Sequence, residues 1–213
     1  MKKIQFPNDQ KLNLVFLPAT DPEDRTYGTI PERIDGFQDV SVYPLHFPTM
    51  VWYNEAVRRQ AIKQIDSLCV SLVVLVGFSK SGLGAWNIAR AIPDRTSATI
   101  IFDAPVAREG PPPLGSTSPF YASAAAWLED LPIRRVKDFK AAVSATHRLV
   151  LISGENFHDE MTRLSHTLDD AGIAHVFLPR PQLKHHWQSG WIEEGLNILL
   201  RQQLAPDAHS LRR

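Results

Sequence analysis

The chain holds one cysteine, Cys69, in 213 residues, so no internal disulfide can brace it and its chemistry suits a reducing compartment. It has no surplus of either charge: 23 lysines and arginines face 23 aspartates and glutamates. Without a basic field nothing grips a phosphate backbone, and nucleic acid is not expected as a partner. No apolar run approaches the ~20 residues of a membrane span, so no membrane partner is expected either. Met1-Lys2-Lys3 opens like a signal peptide, but Asn8, Asp9, Gln10 and Lys11 interrupt the apolar stretch that should follow. A cytoplasmic location is the expectation. His46, His147, His158, His166 and His175 show no ligand spacing with one another or with carboxylates, so neither a metal nor another cofactor is expected.

What is present reads as one α/β domain over residues 1–213. Hydrophobic residues make up 44% and charged residues 22%, as in an ordinary globular protein, and the length suits a single core. Six apolar runs read as strands, at 12–17, 40–43, 72–76, 98–102, 149–152 and 174–178. Val73-Val74-Leu75-Val76 and Thr99-Ile100-Ile101-Phe102 lack polar alternation, which is the pattern of a parallel sheet buried on both faces. Helical stripes lie between them: Val57, Ala61, Ile65 and Leu68; a nearly all-apolar 83–92 stopped by Pro93; Met161, Leu164, Leu168 and Ala171 ended by Gly172; and Ile192, Leu196 and Leu199 after Ser189. Strands alternating with helices imply a mostly parallel sheet of about six strands with helices on both faces. Cys69, between Leu68 and Val70, reads as a small buried hydrophobe.

One interval breaks that rhythm. More than forty residues separate the fourth and fifth runs, among them Pro111-Pro112-Pro113 and Pro119. Residues 104–147 read either as a long crossover or as a lid or cap insertion. Ser118-Pro119 resembles the cap and first residue of a helix over 120–128, and a second short helix is expected over 136–143.

The most informative segment is Gly77-Phe78-Ser79-Lys80-Ser81-Gly82, where a buried strand turns directly into a buried helix. Small residues two positions either side of Ser79 suit a tight, strained turn that lifts its hydroxyl clear of the sheet. The helix aims its first N–H groups and positive dipole end at the same spot. A phosphate loop is excluded, because Leu83-Gly84 stands where Lys-Ser/Thr is required. Ser81 is a weaker nucleophile candidate, since it puts Leu83 where a small residue is needed. A serine hydroxyl needs a base, and His185-His186 follows the last strand. A carboxylate must orient that base: Asp159 ranks first, Glu155 second, and Asp103, at the end of the fourth strand, third.

These pieces resemble the α/β-hydrolase superfamily. Within it, Gly77-Phe78-Ser79-Lys80-Ser81-Gly82, Phe102-Asp103-Ala104-Pro105 and His185-His186-Trp187-Gln188-Ser189-Gly190-Trp191 resemble a group of poorly characterised bacterial serine-esterase-like hydrolases. The resemblance implies His185 rather than His186 as base and Asp159 as acid. The chain departs from the superfamily in its short N-terminal half, which leaves no room for the first strands of the full fold. The usual His-Gly oxyanion loop is replaced by Pro18-Ala19-Thr20-Asp21. Backbone N–H groups of Lys80 and of Ala19 or Thr20 are then the expected oxyanion donors. Trp52 and Trp127 read as packing residues or, alternatively, as walls of an acyl or alcohol pocket; Lys80 either points away from the site or favours an anionic substrate with its charge. The expected activity is cleavage of a small-molecule ester or thioester through an acyl-enzyme on Ser79. The alternatives are a non-catalytic binding protein of the same fold, or an acyltransferase or thioesterase with the same triad. Nothing in the sequence specifies an oligomeric state.

Overall fold

Apolar strands without polar alternation need cover on two faces, and the chain supplies it. In the computed structural model, which describes residues 11–19, 40–110 and 120–204, six strands form one sheet: β1 (Leu12–Leu17), β2 (Val40–Pro44), β3 (Val73–Phe78), β4 (Thr96–Phe102), β5 (Arg148–Ile152) and β6 (Val176–Leu178). Their order is β2-β1-β3-β4-β5-β6, and every pair is parallel. The helices are α1 (Glu55–Ser67), α2 (Lys80–Ala91), α3 (Ala124–Asp130), α4 (Val136–Ala142), α5 (His158–Asp170) and α6 (Trp191–Leu204).

Successive strand residues point to opposite faces, and the core divides accordingly. On one side Val15, Leu17, Val73, Leu75, Ile101, Leu149 and Leu151 meet the apolar stripes of α1, α2, α4 and α5. Leu14, Phe16, Val74, Val76, Phe78, Ile100, Phe102, Val150 and Ile152 point the other way and pack on α6. There the Trp191 ring stacks on Phe102 at 4.9 Å between centroids, a contact worth about 0.5–1.5 kcal/mol beyond its buried area.

Within the long interval between β4 and β5, Val136 and Phe139 of α4 join the core on one face of the sheet. Phe139 of α4 stacks on Trp86 of α2 at 3.9 Å, so α4 belongs to the helical layer. The helix α3 begins at Ala124, with Ser123 as its cap accepting from the Ala126 N–H; the expected cap Ser118-Pro119 lies outside the described residues. Trp127 of α3 packs with Trp52, Leu83, Tyr121 and Leu131 as a separate small core. The expectation for Cys69 is overturned: the thiol is exposed, because the residue lies in the turn after α1, beyond the last side chain of its buried stripe. Among the described residues no helix is long and apolar enough to cross a membrane.

Under the sheet's amino edge His147 is buried between two threonines. A carbonyl can only accept, so Nδ1–H donates to the Thr96 carbonyl at 3.1 Å, leaving Nε2 to accept from the Thr99 hydroxyl at 3.1 Å. Burial first, then Arg148, hold its pKa below 6.5, against the Thr96 bond that favours the charged form. The unfolded chain therefore takes up a proton near pH 6.5 that the folded chain refuses, and stability falls as pH drops below that value. Urea denaturation of His147→Gln should show a shallower loss between pH 7.5 and 5 than the wild type. An unchanged slope would mean that other groups set the acid limit.

Candidate active site

The strands end in line. Phe78 pairs with Phe102, Phe102 with Ile152, and Ile152 with Leu178. The ladder then runs one bond further on each strand: the N–H of Ser79 donates to the Phe102 carbonyl at 3.0 Å, that of Asp103 to Ile152 at 2.9 Å, and that of Ser153 to Leu178 at 3.0 Å. Ser79, Asp103 and Ser153 thus stand side by side on the carboxyl edge, at a strand spacing of about 4.8 Å. The sheet's order reverses between β1 and β3, and a crevice outside the carboxyl ends at such a switch point is where open α/β sheets bind ligands.

Ser79 and Asp103, with φ of 54° and 39°, are the two non-glycine residues with positive φ among those described. Each such conformation costs about 1–3 kcal/mol and persists only where its surroundings impose it. At Ser79 the imposing element is the turn into α2. Gly77 makes it feasible, since a Cβ there would lie 2.3 Å from the Ser81 carbonyl oxygen. The Ser81 hydroxyl is buried and fully engaged, accepting from the Phe78 N–H at 2.8 Å and donating to the Phe78 carbonyl at 2.9 Å. Ser81 is therefore a brace of the turn, and Ser79, half-buried, is the serine left at its apex.

His185 lies against Phe78, ring centroids 4.4 Å apart, and its Nδ1 is 2.6 Å from Asp103 Oδ2. A carboxylate oxygen accepts, so Nδ1 carries the proton and Nε2 the lone pair. Asp103 is fully buried and is gripped by the loop after β5: Gly154 and Phe157 N–H donate to Oδ1 at 2.9 and 2.8 Å, and Asn156 N–H to Oδ2 at 3.2 Å. Here the structure departs from the sequence reading. Asp159, ranked first as acid, is exposed in the first turn of α5, where its charge suits the helix dipole. The carboxylate against the His185 ring is Asp103, ranked third. Glu155, ranked second, is exposed and accepts from the His185 backbone N–H at 3.0 Å, not from its ring. The neighbouring His186 uses Nδ1 to accept from the Gln188 N–H within its own turn.

On the other side of Ser79, Lys80 opens α2, so its backbone N–H belongs to the helix's positive end. Leu17 pairs with Gly77, so Ala19 and Ser79 each lie two residues beyond the last paired residues of the adjacent strands β1 and β3. Ala19 is buried, and its loop is tied down by the Tyr53 hydroxyl, which donates to the Pro18 carbonyl at 2.8 Å. Thr20 lies outside the described residues. The Lys80 ammonium sits over the Trp52 ring, 5.3 Å from its centroid, so Trp52 neighbours the turn. Trp127 stands one layer behind, edge-on to Trp52 at 5.2 Å, fully buried, with Nε1 donating to the Gly110 carbonyl. Sequence reasoning missed the cradle at Gly154, Asn156 and Phe157, whose donors are backbone groups and leave no residue signature. It also missed Tyr53, for which a tyrosine just after an apolar run was the one available hint.

No family model and no curated protein matches the chain. Solved structures do. It is similar to FphF, a fluorophosphonate-binding serine hydrolase of Staphylococcus aureus, with a TM-score of 0.62 and 14% identity over 90% of this chain and 84% of that one. It is similar to Est1E from Butyrivibrio proteoclasticus, with a TM-score of 0.61 and 11% identity over 93% and 90%. It is also similar to the S-formylglutathione hydrolase FrmB of Staphylococcus aureus, with a TM-score of 0.58 and 13% identity over 92% and 85%. At these identities the likeness is one of fold: the chain has the α/β-hydrolase fold.

Proposed function

We propose that the protein is a serine hydrolase that cleaves a small-molecule ester or thioester through an acyl-enzyme on Ser79, with His185 as base and Asp103 as the carboxylate that orients it. The observation that carries this reading is the 2.6 Å contact between His185 Nδ1 and a fully buried Asp103, one strand away from a serine held at φ 54°. A structural histidine on the surface needs neither a buried carboxylate nor a strained neighbour.

In the proposed reaction Ser79 Oγ attacks the carbonyl carbon while His185 Nε2 takes its proton. The carbonyl π electrons move to oxygen, where the Lys80 N–H and one from Ala19 or Thr20 hold the anion. The C–O or C–S bond then breaks and His185 returns the proton to the leaving group. Water repeats the sequence on the acyl-enzyme, releasing the acid and free Ser79. Trp52 is the proposed pocket wall, and residues 104–147 supply whatever cap the pocket has. A carboxylesterase-like activity in the cytoplasm suits this arrangement, as do the esterase and hydrolase names of the structural neighbours.

Treating the protein with a fluorophosphonate should add one phosphonyl group, mapped to Ser79 and absent from Ser79→Ala. An adduct on Ser81, or none on folded protein, would overturn the reading.

A further inference from the structure

We infer that Glu155 is a positioning residue for the base: its side chain latches the loop bearing His185 onto the loop that cradles Asp103. The inference rests on the serine-hydrolase reading above. The segment Ser153-Gly154-Glu155-Asn156-Phe157 serves two neighbours at once. Gly154, Asn156 and Phe157 turn their N–H groups to Asp103. Ser153 and Glu155 turn to the stretch before α6. The Ser153 hydroxyl oxygen accepts from the Arg180 N–H at 2.8 Å, and the Glu155 N–H donates to the Leu183 carbonyl at 2.9 Å. The Glu155 carboxylate closes the seam, Oε1 accepting from the His185 N–H at 3.0 Å and Oε2 from the Lys184 ammonium at 2.7 Å.

The two halves of that grip differ in worth. Lys184 is 79% exposed, and a solvated ion pair fixes little. The bond to the His185 N–H holds the backbone that carries the imidazole, at the residue where a displacement matters most. Lys184 first, then the His185 N–H, hold the Glu155 carboxyl below its usual range, so the latch stays anionic at neutral pH. A misplacement of about 1 Å at a reacting group costs roughly 10²-fold in rate. Removing the latch should therefore lower kcat and leave KM alone.

The test compares Glu155→Ala, Glu155→Gln and Lys184→Ala by p-nitrophenyl acetate hydrolysis and by the rate of fluorophosphonate labelling. Glutamine keeps an oxygen for the His185 N–H but gives up the charge. We expect Glu155→Ala to lose about 10–100-fold in kcat at unchanged KM, with Glu155→Gln and Lys184→Ala within about threefold of wild type. A wild-type rate in Glu155→Ala, or Glu155→Gln as slow as Glu155→Ala, would overturn the inference. A second readout does not depend on catalysis: the strongly downfield proton resonance of His185 Nδ1–H against Asp103 should persist in Glu155→Gln and broaden or vanish in Glu155→Ala. If wild type is never labelled, the hydrolase reading fails while this resonance still decides the latch. Persistence in Glu155→Ala would refute it.

Discussion

Asp103→Asn should lower turnover by about 10⁴-fold, the usual cost of turning a triad carboxylate into an amide, while Asp159→Asn should stay within about twofold of wild type. The size of the first effect follows from which way the amide must face. Oδ1 of Asp103 receives two backbone N–H groups, from Gly154 and Phe157, so the asparagine oxygen stays there and its NH₂ takes the place of Oδ2. That NH₂ then donates to His185 Nδ1, where the carboxylate had accepted from it. The imidazole proton moves to Nε2, and the base no longer has a lone pair for the Ser79 hydroxyl. The same NH₂ also faces the Asn156 N–H, which leaves two donors opposed in a buried site, at about 1–3 kcal/mol of stability. Asp159, exposed on the first turn of α5, gives up only part of a favourable interaction with the helix dipole. Steady-state ester hydrolysis on the two variants, with circular dichroism to confirm folding, separates the carboxylates. A large loss in Asp159→Asn with Asp103→Asn near wild type would reverse the assignment.

Gly77→Ala should cost more than 10²-fold in activity, together with about 1–3 kcal/mol or more of stability. A methyl group at this position meets backbone on every side: 2.3 Å to the Ser81 oxygen, 2.6 Å to the Ser81 carbonyl carbon and 2.7 Å to the Gly82 Cα. No side chain can rotate out of the way, so the first turn of α2 must move as a unit. That turn carries Ser79 at its cap and Lys80 as its first residue, so the proposed nucleophile and one proposed oxyanion donor shift together. The labelling rate and a urea melt together measure the effect. Wild-type values in both would mean that the turn relaxes more easily than its contacts allow.

How much of this was legible depended on how local the information is. The turn at Ser79 is specified within a dozen consecutive residues: a run buried on both faces, Gly77, Ser81 and a helix without polar interruption. The parallel sheet also followed, because strands alternating with helices imply βαβ units; the order of its strands did not. The orienting carboxylate did not. Asp103, Glu155 and Asp159 each follow a strand, and the expected place after the strand preceding the base, together with the family resemblance, favoured the last. The choice among them is made by the direction of three backbone N–H groups more than fifty residues from Asp103. Residue type does not encode that direction. Asp103 did carry one sign, its place directly after Phe102 in a strand adjacent to that of Ser79. Cys69 shows the opposite failure: apolar neighbours in sequence need not be neighbours in space once a helix has ended.

The sheet's end strand, β6, has a further meaning. It is three residues long and half-exposed throughout, whereas β3 and β4 are buried almost without a gap. Ser79 and Asp103 follow two of the most buried strands, whereas His185 lies on the stretch that follows a short, half-exposed end strand. Partial opening of proteins starts from such thinly packed margins. On gentle warming the stretch that carries His185 is therefore expected to open before the strand ends that carry Ser79 and Asp103.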